Sequence, residues 1–451
     1  MKAVFVHLSD IHFGQERDGG ALAINEDAKK RLIDDARDEV SKLGVVATGV
    51  VVTGDIAFSG KRHEYQTAAA WLASLTEAIG CERTDVQLIP GNHDIDREKI
   101  TTSTECVLDA IRDRGDVLLD PMLDSAEDRK LLYARFEAYA DFALDYQCEL
   151  DLNGGFSNGA RLTLAEGRHI RFVRLNSALI CSRRDDEGKL ILGKRQQPLP
   201  VEAGEELVVL VHHPLNWFQD SLNARRYLRS RARVVISGHE HYPKLVVDPV
   251  AEGCDLMLLA AGATNPDVVV GEYTYKYNIL TFEWDQEADA LAVSVNPRTW
   301  DEQGTCFKRD ESFLDGKSER QVLASPNFRR AAPPQNAMPI KAEVVDVEAL
   351  AEVVSECVLA ATEEVSLVEE AARPRPDRTS PTVDERLLQL RFFQELGERE
   401  RLDALVELGA LRPDVVVRLD HAMERRLFRL LVKKGRAPDI ERWLQRAEGE
   451  G

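Results

Sequence analysis

The sequence lacks both paired cysteines and long apolar runs, and each absence excludes a class of protein. Its seven cysteines are scattered through 451 residues without a CxxC pair, so we expect reduced thiols rather than a disulfide framework or a thiolate metal site. The apolar run that follows Met1 is too short for a signal peptide or a membrane span. We therefore expect a cytoplasmic protein that does not contact a membrane.

Net positive charge is also lacking. The formal charge of -20 at pH 7 argues against a protein that coats duplex DNA through a general basic surface. Because net charge is a global average, a local basic groove or a metal site that accepts a phosphodiester is still compatible with it. The length exceeds that of a usual single domain and predicts one large domain with an appendage.

The first part of the chain alternates between strand-like and helix-like patterns. Apolar runs at 2–8, 45–53 and 86–89 predict strands, and apolar residues at helical spacing predict helices near 26–43 and 63–79. Further strands are predicted at 170–176, 207–211, 234–236, 256–260, 277–284 and 290–295, the last three closing a second sheet or its edge. This layout is typical of a layered α/β protein, and we predict an αββα sandwich of two mixed β-sheets flanked by helices.

The remaining segments are predicted to be helical or linking. Amphipathic stretches within about 96–150 indicate a helical insertion in a first domain that spans residues 1–300. Residues 301–340 lack periodicity and finish in a segment rich in Arg, Ala and Pro, which predicts a linker. Residues 341–451 read as an all-α C-terminal region, which we expect to dock a protein partner or to mediate self-association.

Clusters of polar residues follow five of the predicted strands. The carboxyl ends of such strands converge on one edge of the fold, so we expect these side chains to meet there. An O- and N-rich set without thiolates suits Mn, Fe, Zn, Co or Ni, and one shared carboxylate could hold two ions about 3.5–4 Å apart. The clusters are Asp10 with His12, Gly54-Asp55, Gly91-Asn92-His93-Asp94, His212-His213-Pro214, and Gly238-His239-Glu240-His241.

Such a site has a definite chemistry. A water that bridges two cations is acidified enough to attack at neutral pH, and the cations neutralise charge on a phosphoryl group. A histidine nearby that does not bind metal can donate a proton to the leaving oxygen. Taken alone, Gly91–Asp94 would be read as a polar turn in water, but together the five clusters predict a metal site.

The five motifs, in this order, resemble the calcineurin-like metallophosphoesterase superfamily, and the resemblance covers about residues 1–300. The segments Leu8–Gly14, Val51–Tyr65 and His212–Pro214 are similar to the bacterial cyclic-nucleotide phosphodiesterase branch. The residues after Asp55 lack the further Asp-Arg pair of the protein phosphatase branch, which disfavours action on phosphoproteins.

The resemblance implies a role for each site residue. It implies a first metal held by Asp10, His12, Asp55 and His241, and a second held by Asp55, Asn92, His212 and His239, with Asp55 bridging. His93 would be the proton donor, oriented by Asp94. His212 is chosen over His213 because the family's ligand lies two residues before the proline.

The predicted function is that of a phosphodiesterase with two divalent metal ions, Mn being expected and Fe, Zn, Ni or Co the alternatives. Its substrate would be a phosphodiester of a nucleotide or nucleic acid. The alternatives are a DNA or RNA nuclease of the recombination-repair type and, in another class, an inactive interaction protein on the same fold. The arginine-rich run 225–233 is either a solvated helix face or a phosphate-steering surface with Trp217 or Tyr227 nearby.

Overall fold

The computed structural model describes residues 1–15, 22–251, 253–266, 274–314, 316, 318–330, 392, 398–410, 427–428, 431–432 and 434–449. The chain divides into two units, Met1–Pro339 and Ile340–Gly451. The strands are β1 (Ala3–Leu8), β2 (Gly49–Val52), β3 (Val86–Leu88), β4 (Ser157–Ala165), β5 (Arg168–Arg174), β6 (Glu205–Leu210), β7 (Ala232–Ser237), β8 (Lys244–Ala251), β9 (Cys254–Ala260), β10 (Lys276–Asp285), β11 (Ala290–Asp301), β12 (Cys306–Arg309) and β13 (Arg320–Leu323). The helices are α1 (Leu22–Lys42), α2 (Arg62–Ile79), α3 (Thr102–Arg114), α4 (Asp116–Asp124), α5 (Ala126–Tyr133), α6 (Glu137–Leu144), α7 (Ser221–Arg231), α8 (Glu311–Leu314), α9 (Pro326–Arg330), α10 (Glu398–Glu407) and α11 (Ala437–Gly449).

The first unit contains two mixed sheets. One has the order β12-β11-β10-β1-β2-β3, with β13 paired to β11, and its strands β1, β2 and β3 are parallel. The other has the order β4-β5-β6-β7-β9-β8, with parallel strands β5, β6, β7 and β9 between antiparallel edges. Strands β10 and β11 belong to the first sheet rather than the second, because the edge of β1 that β2 leaves free accepts β10.

Alternate residues of β1 show how the layers stack. Val4 and Val6 pack with the apolar side chains of α1 and α2 on the outer face of the first sheet. Phe5 points the other way, into the core between the sheets, where its ring lies 5.1 Å from that of Phe172 in β5. On the outer face of the second sheet, Val209 packs with apolar residues of α3, α4, α5 and α7. The predicted αββα sandwich is confirmed.

Four helices, α3 to α6, lie within the segment where the sequence predicts a helical insertion. The fully buried Arg135 fastens them to the loop that follows β5, since its guanidinium donates to the carbonyl oxygens of Cys181 and Leu179. The insertion is therefore bound to a loop that also reaches the polar strand ends.

The predicted linker is wrong over residues 301–330. Strands β12 and β13 pair with β11, and Leu323 and Phe328 are fully buried. In α9, the backbone N–H of Asn327 donates to Glu206 over 2.7 Å, which connects this segment to β6. Because β12, β13 and α9 are only four or five residues long, they show no hydrophobic periodicity from which the sequence could predict them. The last part of the predicted linker, 331–340, lies outside the described residues.

The described parts of the second unit are helical. Helices α10 and α11 contribute to a small apolar cluster, and the predicted helical stretch at 341–371 lies outside the described residues. Docking or self-association through this unit stays a prediction. The cluster consists of Phe392, Ala404, Leu405, Leu408, Phe428, Leu431, Ile440 and Leu444.

Among the helices that the structure describes, none has both the length and the apolar character needed to cross a bilayer.

Candidate metal centre

The strand ends bring the five polar motifs together. The loops after β1, β2 and β3 come from the first sheet and those after β6 and β7 from the second, and backbone hydrogen bonds join them, as from Gly238 N–H to the carbonyl of His212. The residues form four overlapping groups of three, and within each group the candidate ligand atoms, one from each residue, lie within 4.8 Å of one another. The groups are Asp10, His12 and His241; Asp10, Asp55 and His212; His12, Asp55 and His93; and His212, His213 and His239.

Asp55 lies at the middle of the centre and is 1% exposed. Its Oδ2 is 3.4 Å from Nε2 of His12 and 3.3 Å from Nε2 of His212. Its Oδ1 accepts the backbone N–H of His93 over 2.7 Å. One carboxylate oxygen thus faces a histidine from each sheet, which is the position required of a bridging ligand.

Backbone carbonyls set the direction of two of these histidines. Nδ1 of His212 lies 2.8 Å from the carbonyl oxygen of Thr53, and Nδ1 of His12 lies 3.4 Å from that of Asn265. A histidine that donates Nδ1–H in this way presents the lone pair of Nε2, the arrangement usual in metal-binding histidines.

The donor atoms around Asn92 fit a cation. Its Oδ1 is 3.1 Å from Nε2 of His212 and 3.0 Å from Nδ1 of His239. The Nε2 lone pair of a neutral His212 would face Oδ1 of Asn92 and Oδ2 of Asp55 with no proton between them. Likewise Oδ1 of Asp10 is buried and lies 3.2 Å from Nε2 of His241. These atoms therefore suit one or two bound divalent ions.

The electrostatics point the same way. Burial lowers the pKa of His212, but the charges of Asp55 and Asp10 outweigh it and raise the pKa to about 9. Burial raises the pKa of Asp55, but His212, His93 and His12 hold it well below its usual range. Without a metal ion, His212 would therefore carry a proton at neutral pH, and its positive charge would balance the carboxylates of Asp55 and Asp10. A divalent cation bound at the same place would neutralise these carboxylates instead.

Backbone strain is concentrated at the candidate ligands. Eight non-glycine residues among those described have a positive φ, and five of them are candidate ligands. Such conformations cost about 1–3 kcal/mol each and persist where the surroundings enforce them, commonly at functional sites. The five are Asp10 (53°), His12 (51°), Asp55 (54°), His239 (74°) and His241 (55°).

Two glycines allow the loops to approach this closely. A Cβ on Gly91 would lie 2.1 Å from Oδ1 of Asp55, and a Cβ on Gly238 would lie 2.1 Å from Oγ of Ser9. Both positions require glycine because any side chain would displace a carboxylate or its hydrogen-bond partner.

His93 stands at the margin of the centre. Its ring is 4.8 Å from that of His12 and stacks on Phe58, with centroids 5.4 Å apart. Its Nδ1 lies 2.8 Å from the carbonyl oxygen of Phe58, so Nε2 is the nitrogen left to act. Burial lowers the pKa of His93, and the charge of Asp55 opposes that effect.

Asp94 does not orient His93, and that prediction is wrong. Its carboxylate accepts the backbone N–H groups of Ile56, Ala57 and Gly91 and the hydroxyl of Tyr65, all within 2.9–3.1 Å. The turn that follows Asp55 leaves the amides of Ile56 and Ala57 without a backbone acceptor, and Asp94 supplies one. Asp94 therefore supports the loop that carries Asp55.

His213 belongs to one of the four groups, with His212 and His239, but its nitrogens face other side chains. Its Nδ1 lies 2.9 Å from Oγ of Ser177 and its Nε2 lies 3.8 Å from Sγ of Cys181, so both nitrogens have partners in the protein. Glu240 is exposed and lies 3.5 Å from the side chain of Asn216.

Sequence reasoning missed several supports of the site. Ser9, whose hydroxyl donates to Asp10 over 2.5 Å, could have been found because it adjoins the ligand. The carbonyls of Thr53, Phe58 and Asn265 carry no residue-type signal, since any side chain has the same carbonyl.

Two family models match parts of the chain. A family model described as calcineurin-like phosphoesterase matches residues 3–243, more than half of the chain. A second family model, the GTPase-associated adaptor domain, matches residues 384–446. The metallophosphoesterase-like protein YydB of Bacillus subtilis (strain 168) is 24% identical over 233 residues, covering 49% of this chain and 44% of that protein. The chain thus spans less than half the length of this relative.

The chain is also similar to solved structures of low sequence identity. Purple acid phosphatase PPD1 from yellow lupin (Lupinus luteus) is 10% identical, with a TM-score of 0.38, over 76% of this chain and 57% of that one. Calcineurin-like phosphoesterase YfkN from Bacillus subtilis is 10% identical, with a TM-score of 0.31, over 74% of this chain and 93% of that one. The family model over residues 3–243 confirms the resemblance drawn from the motifs: the chain belongs to the calcineurin-like phosphoesterases.

Proposed function

We propose that this chain hydrolyses phosphodiesters of nucleotides or nucleic acids at a centre that holds two divalent metal ions, with Mn as the expected metal. The observation that carries the proposal is the position of Asp55, whose Oδ2 lies within 3.4 Å of Nε2 of both His12 and His212. Membership of the family supports metal-dependent hydrolysis of phosphoric esters.

The proposed ligands divide around Asp55. Asp10, His12 and His241 would hold one ion, and Asn92, His212 and His239 the other, with Asp55 shared. Ions bound there supply an acidified water as nucleophile and neutralise charge on the phosphoryl group.

His93 is proposed as the proton donor to the leaving oxygen. Its Nδ1 is 2.8 Å from the carbonyl of Phe58, which fixes the ring and leaves Nε2 to hold the proton that moves. The stacked ring of Phe58 keeps water from one face of the imidazole.

A diester preference rests on the motif resemblance. The segments Leu8–Gly14 and Val51–Tyr65 are similar to the cyclic-nucleotide phosphodiesterase branch, and the Asp-Arg pair of the protein phosphatases is absent after Asp55. A panel of aryl monoesters, aryl diesters, cyclic nucleotides and single- and double-stranded DNA and RNA, each with Mn and with Zn, tests this preference. Turnover of monoesters alone would overturn it.

A nuclease is the second candidate, and helix α7 favours it. Arg225 and Arg226 are exposed and form no ion pair or hydrogen bond with any residue that the structure describes, and Tyr227 beside them is 37% exposed. Arg229, in contrast, lies 3.4 Å from Asp248. Two of the helix's arginines therefore remain available for the phosphates of a single strand.

Salt dependence tests the nuclease. A strand that follows α7 would make log(kcat/KM) on an oligonucleotide fall with log[salt], and replacing both Arg225 and Arg226 by Ala would reduce that slope by about 1.4. Lys308→Ala is the matched control, because that exposed lysine already pairs with Asp301. Equal slopes for all three proteins would leave α7 as a solvated surface.

The C-terminal unit is proposed to recruit a protein partner. The adaptor-domain model over residues 384–446 supports this, and the family's name suggests a partner associated with a GTPase. If the panel gave no turnover with any metal while a partner bound this unit, the chain would be an interaction protein on the same fold.

A further inference from the structure

Trp217 lies directly beside the candidate metal centre. It ends a short 3-10 turn, Leu215–Trp217, that follows His212, His213 and Pro214. The centre of its ring is 4.1 Å from that of His239, and the two planes are nearly perpendicular at 84°. The two rings are therefore in edge-to-face contact, and His239 does not stack on the indole.

The turn does not depend on the indole for its shape. Phe218, which is 2% exposed, and Leu215, which is 8% exposed, anchor it in the core. The backbone N–H of Trp217 donates to Pro214, and the N–H of Leu190 donates to the carbonyl of Trp217 over 3.1 Å. A half-buried tryptophan is therefore held at the margin of the core, next to a candidate ligand.

Two carboxylates lie close to Asn216, the residue before Trp217. The side-chain amide of Asn216 donates to Glu187 over 2.6 Å and approaches Glu240 at 3.5 Å, and both carboxylates are exposed. Two carboxylates would repel a second phosphate at this position. They would instead accept hydrogen bonds from an uncharged group that carries N–H donors.

A nucleobase has both required properties. It offers a flat face that stacks on an aromatic side chain, and its ring and amino N–H groups donate to carboxylates. A quaternary ammonium group would also be attracted to an indole, but recognition of that kind uses a cage of several rings. Within the described part of the chain, Trp217 is the only ring other than histidine in contact with His239.

We propose that Trp217 forms a subsite for the nucleobase of a nucleoside phosphodiester, with Glu187 and Glu240 at its edge. The inference rests on the proposed function, because it identifies the group esterified to the phosphate that this centre cleaves. It selects linear nucleoside diesters over simple alkyl diesters.

Three esters with one leaving group test the subsite on the full-length, metal-loaded protein. Thymidine 5'-(4-nitrophenyl phosphate), ethyl 4-nitrophenyl phosphate and 4-nitrophenyl phosphorylcholine all release 4-nitrophenolate, so they differ only in the group placed against Trp217. Trp217→Leu keeps an apolar side chain without an aromatic face, and Trp217→Phe restores a flat ring. Metal content is measured for every protein.

We expect Trp217→Leu to lower kcat/KM on the thymidine ester about 10- to 100-fold and to change kcat/KM on the ethyl ester by less than about twofold. Trp217→Phe keeps most of the wild-type preference. Equal losses on both esters, or loss of metal, would show that Trp217 only supports His239 and would overturn the proposal. A loss confined to the phosphorylcholine ester would overturn it in favour of an ammonium group.

Calorimetry with thymidine 5'-monophosphate and with ethyl phosphate separates this proposal from the proposed function, since it needs no turnover. If the wild-type protein cleaves none of the esters, the proposed function fails. The subsite is still supported if Trp217→Leu weakens binding of the nucleotide alone, and it is overturned if both ligands bind the variant as they bind the wild type.

Discussion

Nδ1 of His93 lies 2.8 Å from the backbone carbonyl oxygen of Phe58. That contact fixes the tautomer and the plane of the imidazole, and the stacked phenyl ring holds the plane from one side. Nε2 is consequently the only nitrogen of His93 that can pass a proton to a substrate.

Replacing His93 by Ala should separate catalysis from metal binding. The variant loses the proton donor but none of the proposed ligands, so we expect kcat to fall about 10²- to 10⁴-fold while metal content stays at the wild-type level. Steady-state kinetics and elemental analysis of the same preparation check this. A variant that loses metal in proportion to activity would instead identify His93 as a ligand.

The end of the catalytic domain can be located by truncation. A chain that ends at Arg330 keeps β12, β13 and α9, and we expect it to fold and to hydrolyse small diesters as the full chain does. A chain that ends at residue 300 lacks Leu323, so the apolar core between the sheets and the edge of β11 become exposed. We expect this chain to be insoluble or unfolded. Circular dichroism and activity distinguish the two, and an active chain ending at 300 would contradict the placement of 301–330.

One buried ion pair tests the same placement by substitution. Glu206 lies 3.2 Å from Arg233, with both side chains fully buried, and it also accepts the N–H of Asn327 in α9. Glu206→Ala leaves a buried cation unpaired and should lower the free energy of unfolding by about 3–5 kcal/mol. Lys308→Ala removes an exposed pair and should leave the free energy of unfolding nearly unchanged. Unfolding in urea measures both variants.

His7 should make the fold sensitive to acid. Burial lowers its pKa from 6.5 to about 3, with the charge of Asp10 opposing. Below pH 6.5 His7 binds a proton in the unfolded chain but not in the folded protein. The free energy of unfolding therefore falls by about 1.4 kcal/mol for each pH unit until the pH nears 3. The imidazole bonds Thr53 and Asn278 in its neutral form.

The measurement compares wild type with His7→Gln, which keeps hydrogen-bonding capacity but does not titrate. Both proteins are unfolded with urea in the presence of a metal chelator. Between pH 6.5 and pH 5, the free energy of unfolding of the wild type should fall by about 2 kcal/mol relative to that of His7→Gln. Parallel pH profiles for the two proteins would show that His7 keeps an ordinary pKa in the fold.

The layered fold could be predicted from the sequence because its central strands are covered on both faces. Within β1, β6 and β7, residues 3–6, 207–210 and 234–236 consequently form continuous apolar runs. Each strand is followed by residues that a core would not tolerate without partners. The second strand shows where this fails. The run begins at Val45, but Val45 and Val46 are exposed and the strand starts at Gly49.

Other features leave no periodic signal. The edge strand β4 is mostly half-exposed, β8 contains Pro249, and β12 and β13 are four residues long, so the first two lack a buried apolar run and the last two are too short for one. At the site, Asp94 follows His93 in sequence but its carboxylate turns to the amides of Ile56 and Ala57. Adjacency in sequence therefore misled the assignment of its role.

In the proposed function, Asp55 joins two metal ions into one catalytic centre. Titration of metal-free protein with Mn, followed by calorimetry and by hydrolysis of bis(4-nitrophenyl) phosphate in the same samples, tests it most directly. We expect two ions per wild-type chain, with activity appearing as both bind, and loss of metal and activity in Asp55→Ala. An Asp55→Ala protein that binds two ions and turns over at the wild-type rate would contradict it.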